Sequence, residues 1–74
     1  MDILNEVRRG IELMREYKFT HNLIRTLKIY AAEDVFEELK KTGVMVKNYA
    51  GKYFLDNIMV TELKGYPKGY FSVE

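Results

Sequence analysis

The sequence predicts an α+β fold: two helices packed on one face of a small, mostly antiparallel sheet of three or four strands, ordered helix, strand, helix, strand, strand, strand. Three observations predict it. Leu4, Val7, Ile11 and Met14 recur at helical spacing. AEDVFEELKKTG opens on acids, closes on lysines and stops at Gly43, the charge order and terminator of a second helix. From Val44 onward, short apolar runs alternate and are broken by turn residues, which is the pattern of strands.

The first helix starts at Asp2, whose carboxylate suits an N-cap, and runs to about Lys18. Its apolar stripe is narrow, and Arg8, Arg9, Glu12, Arg15 and Glu16 fill the other faces. Such a stripe packs on its own sheet or forms the seam of a homodimer. Gly10 sits inside this helix at a cost of about 1 kcal/mol relative to Ala; it marks a close approach to another element or is simply tolerated.

KFTHN interrupts the period. RTLKIYA then alternates, with Leu27 and Ile29 on one face and Thr26, Lys28 and Tyr30 on the other, and reads as a strand; a helix over residues 22–30 competes, because Leu23, Ile24 and Leu27 also share a helical face. In the second helix Val35, Phe36 and Leu39 form the buried face. VMV and YFL read as strands around a loop holding Gly51, Asp56-Asn57 as a turn, IMVTEL as a strand with Ile58 and Val60 opposed to Met59 and Thr61, KGYPKG as a loop, and YFSV as a short final strand that can serve as an edge.

Seventy-four residues make one domain with a modest core. A hydrophobic content of 47% is that of a folded chain. With no cysteine there is no disulfide framework and no thiolate site. The net charge of +1 gives no general pull toward polyanions. No charged-then-apolar leader opens the chain and no apolar run approaches the roughly 18 residues of a membrane span, so the cytoplasm is the expected compartment and no membrane partner is expected.

Nothing in the sequence points to catalysis. His21 is the single histidine and falls in a loop; Ser72 falls in a strand without a nucleophile-elbow context; Asp2, Asp34 and Asp56 are each explained by a cap or a turn. The acidic run Glu33, Asp34, Glu37 and Glu38 reads as a solvated helix face, and the glycines are isolated rather than grouped into a phosphate loop. The expectation is a non-enzyme without metal or cofactor. The positive signal is aromatic: Tyr49, Tyr53, Phe54, Tyr66, Tyr70 and Phe71 crowd the last third of the chain. Alternation sets Tyr53 and Leu55 opposite Phe54, and Phe71 and Val73 opposite Tyr70 and Ser72, so that a face carrying Phe and Val can be core and the tyrosines are left for the second face or the loops. Tyrosines there offer contact area at low entropic cost, or stabilise the sheet as cross-strand pairs. The candidate partner-binding residues are Lys47, Tyr49, Lys52, Lys64, Tyr66 and Lys68.

Two stretches resemble known families. FEELKKTGVMVKNYAGKYFL is similar to the end of a winged helix, with Leu39, Gly43, Val44, Gly51, Tyr53 and Leu55 at fitting positions. That resemblance implies a nucleic-acid-binding regulator whose wing lysines, Lys47 and Lys52, touch phosphates. The helix before the wing would face the major groove, but its first half is acidic and a phosphate field repels it. The longer run from Leu27 to Val73 resembles small tailed-phage proteins and part of the tailed-phage major capsid fold, through LKIYAAEDVFEELKK, YFLDNIMV and GYPKGYFSV; Ala31 stands where that pattern has a capping Ser or Asn, and Asn57 where it has Gly. This resemblance implies a phage protein, virion-associated or inhibiting a host or defence protein by steric occlusion, in the host cytoplasm or the virion. It supplies no active-site residues.

Overall fold

The computed structural model describes residues 2–74. Its elements are α1 (Ile3–Thr20), β1 (Lys28–Ala32), α2 (Glu33–Lys41), β2 (Val46–Lys47), β3 (Tyr53–Leu55), β4 (Ile58–Leu63) and β5 (Phe71–Val73). Among the described residues no helix is long and apolar enough to cross a membrane.

Asp2 caps α1, its carboxylate accepting from the backbone N–H groups of Leu4 (3.1 Å) and Asn5 (3.4 Å). The helix runs past Lys18 to Thr20. It stops where Asn22 takes φ 55°: Leu23 N–H donates to the Lys18 carbonyl and Asn22 N–H to that of Phe19, a Schellman closure with Asn in the left-handed position. Residues 23–27 are irregular, and the strand begins at Lys28, later than the alternation suggested. The faces follow the alternation, with Leu27 and Ile29 buried and Lys28 exposed.

α2 starts directly at the end of β1, and its N-cap is Ala32, which has no side-chain oxygen to offer. Its far end is tied by Thr42, whose hydroxyl donates to the Leu39 carbonyl at 2.6 Å, and by Gly43 at φ 75°. Between β3 and β4, Asp56 and Asn57 take φ 51° and 65° in a two-residue turn, as a type I′ hairpin requires.

The sheet corrects the expectation of three or four mostly antiparallel strands. It has five, in the order β2-β3-β4-β1-β5, with β1 and β4 parallel at its centre. The physical reason is the route of the chain: β1 passes through α2 and the β2–β3 hairpin before β4 returns beside it. β5 then crosses over to pair antiparallel with the other edge of β1. The expected VMV strand shortens to Val46–Lys47, because Val44 and Met45 turn in against the core.

Register aligns Tyr53, Val60, Ile29 and Val73 in one row across four strands. Both helices press on this side, burying Val7 and Ile11 of α1 and Val35, Phe36 and Leu39 of α2. The narrow stripe of α1 is therefore spent on its own sheet and on α2. In β3 the expected faces are reversed: Tyr53, not Phe54, lies on the core side, because Leu55 beside it on the same face is fully buried and its own ring meets Phe36 edge-on, with centroids 5.2 Å apart at 87°. A Cβ at Gly10 would lie 3.2 Å from Val73 Cγ2 and 3.6 Å from Phe71 Cε2. The glycine lets α1 close onto β5, which justifies its helical cost.

Gly10→Val should destabilise the fold by about 1–3 kcal/mol in urea denaturation, because the added methyls meet β5. Gly10→Ala should give less than the ~1 kcal/mol gain of an open helical site. A full gain in Gly10→Ala would show that the close approach does not constrain the fold.

Candidate binding face

With Tyr53, Leu55, Ile58 and Val60 turned toward the helices, strand alternation turns Phe54, Met59, Thr61 and Leu63 the other way. Register extends that second face. Val46, Phe54, Met59 and Lys28 form one row across β2, β3, β4 and β1. Thr61, Tyr30 and Ser72 form the next, and Leu63 and Ala32 a third, with Tyr70 beside them through its carbonyl, which accepts from Ala32 N–H at 2.9 Å. Neither helix packs on this side. Val46 is 65% exposed, and Phe54, Met59, Tyr30 and Leu63 are half-buried.

The face ends in a tyrosine cluster. Residues 64–69 carry the chain from β4 over the end of β1 to β5. Gly69 N–H donates to Asp34 Oδ2 at 2.8 Å, which pins this crossover to the first turn of α2, and Tyr70 N–H donates to the Pro67 carbonyl at 3.2 Å. Tyr66 thus stands outward rather than in the core, with its ring 5.1 Å from that of Tyr70. These two rings, with Tyr30, Leu63, Ser72 and Glu74, line a hollow of about 210 Å³.

The residues singled out from the sequence fall into two loops at one end of the sheet, where β2 and β4 end and β3 and β5 begin. Tyr49 is fully exposed at the tip of the β2–β3 loop. Asn48 shapes that loop by accepting from the N–H groups of Ala50 (3.0 Å) and Lys52 (2.9 Å). Lys64, Tyr66 and Lys68 are exposed in the crossover. Lys47 is the exception, since its Nζ lies over the Tyr53 ring, 5.7 Å from the centroid, on the helix side. The residues between the loops on the open face (Val46, Phe54, Met59, Leu63 and Tyr30) were not singled out, although the opposition of Met59 to Ile58 carried the signal.

Elsewhere a few polar side chains have partners. His21 Nδ1 is 2.9 Å from the Tyr17 carbonyl and its ring stacks on Tyr17. Arg8 grips Asp56 through Nε and Nη2 at 3.2 and 3.3 Å, joining α1 to the β3–β4 turn. A hollow of about 300 Å³ beside that turn sets Arg15 and Arg25 against Asp56, so its charges oppose one another. Among the described residues no group of three or more His, Cys, Asp or Glu is arranged to hold a metal. A second exposed apolar group lies on α1 and the segment after it: Leu13, Tyr17, Phe19, Leu23 and Ile24.

Comparisons with protein-family models, with curated proteins and with solved structures found no match.

Asp34→Ala should free the crossover. Hydrogen exchange at Gly69 should rise at least several-fold, with a stability loss of about 1–2 kcal/mol for the charge-assisted bond. Unchanged exchange would mean that the loop holds its shape without α2.

Proposed function

We propose that this protein is a non-enzymatic binding protein that docks a partner protein on the uncovered face of its sheet. One observation carries the reading: Val46, Phe54 and Met59 are contiguous across three strands on a face that neither helix covers. A contiguous apolar surface rimmed by polar residues marks an interaction site more often than chance. Tyr30, Tyr66 and Tyr70 extend it with rigid amphipathic rings. Tyr49, Lys52, Lys64, Tyr66 and Lys68 form its rim at one end, and Lys47 extends that rim around β2.

The resemblance of residues 27–73 to tailed-phage proteins supports a finer form of this reading. The partner is then a virion protein, or a host or defence protein whose own binding surface the domain occludes, in the virion or the host cytoplasm. A nucleic acid is the second reading, supported by Lys28 and Lys52 lying beside Tyr30 and Phe54, a combination on which single strands stack.

Capture experiments from host extract separate these readings. Met59→Glu should abolish capture while changing the unfolding free energy by less than about 1 kcal/mol, because its side chain leaves the core. Tyr66→Ala should weaken capture without melting the fold. Capture unaffected by Met59→Glu would contradict the reading. Retention on DNA that falls steeply with salt and is weakened by Lys28→Glu or Lys52→Glu would transfer the face to the nucleic-acid reading.

A further inference from the structure

We infer that the hollow at the β5 end of the open face is a cation-binding cage that receives an arginine side chain of the partner protein. The inference rests on the open-face reading and names the chemistry at one point of it. Tyr30, Tyr66 and Tyr70 supply three aromatic rings around about 210 Å³, with Leu63 as apolar wall and Ser72 and Glu74 as the polar edge. The space suits a single side-chain head group rather than a folded ligand. Its lining contains no basic residue.

The charge pattern selects the ligand. Aromatic faces are electronegative and attract guanidinium or ammonium groups. The one charged group in the lining is the Glu74 carboxylate, whose Oε2 lies 3.2 Å from Ser72 Oγ. Ser72 thereby holds the carboxylate at the mouth, and among the described residues Glu74 makes no ion pair. Lys28 is the cation facing it from the neighbouring strand, since both backbone groups of Lys28 bond to those of Glu74 at 2.8 Å. It competes for the carboxylate and lies outside the lining. A planar guanidinium can stack on the Tyr66–Tyr70 pair while donating to a carboxylate, which a lysine ammonium does less well.

The test titrates isotope-labelled protein of residues 1–74 with a capped Gly-arginine-Gly tripeptide and with its citrulline counterpart, which keeps the shape and removes the charge. The arginine peptide should produce saturable amide shifts at Tyr30, Tyr66, Tyr70 and Ser72, at a concentration about five-fold lower than the citrulline peptide. Glu74→Gln should shrink that preference, Tyr70→Leu should remove the shifts, and Lys28→Met should tighten binding. Equal binding of the two peptides, or no saturable shift at the hollow, would overturn the inference. The open-face reading is judged separately by Met59→Glu in capture, so each can fail alone.

Discussion

The structure depends on one row of side chains, Tyr53, Val60, Ile29 and Val73, and on both helices pressing against the same side of it. Burial stabilises in proportion to the apolar surface withdrawn from water. A chain of this length has only enough helix to cover one side of five strands. Gly10 intensifies the asymmetry by letting α1 sit against Val73 and Phe71. The opposite side of the sheet carries Val46, Phe54 and Met59 side by side across three strands, with Lys28 closing the row.

The central parallel pair decides where the tyrosines go. Because β4 runs alongside β1, the chain must cross the end of β1 to reach β5, and residues 64–69 make that crossing. Asp34 holds the crossover from the helix side and Tyr70 stands immediately before β5. Tyr66 is then brought against Tyr70 on the side away from the helices, next to Tyr30. The repeated Lys-Gly-Tyr around Pro67 is in this sense a structural crossing whose aromatic residues end on the open face.

Much of this was legible in the sequence, and the failures have physical causes. Caps and punctuation were readable because they act locally: Asp2, Gly43 and the Asp56-Asn57 turn all do what their chemistry suggests. The buried face Val35, Phe36 and Leu39 followed from periodicity, as did the opposition of Ile58 and Val60 to Met59 and of Phe71 and Val73 to Tyr70; which face of β3 turns inward did not, since Tyr53 rather than Phe54 lies on the core side. The strand order did not, because nothing local to β5 says that it joins β1 rather than β4. The end of α1 was placed early because the Schellman closure at Asn22 outlasted the apolar stripe. The candidate site shifted for a similar reason: exposed loop residues such as Tyr49 and Tyr66 announce themselves one at a time. A face made of Val46, Phe54, Met59 and Tyr30 exists only once the register is known.

Docking on the second face of the sheet requires that face to be open in solution. Paramagnetic attenuation of methyl resonances by a neutral soluble radical measures this directly. The account predicts strong attenuation at the methyls of Val46 and Met59, and protection at Val60, Val7 and Leu39, which the helices enclose. Val46 and Met59 as protected as Leu39 would mean that this face is covered, by another copy of the chain or by another packing, and would contradict the account.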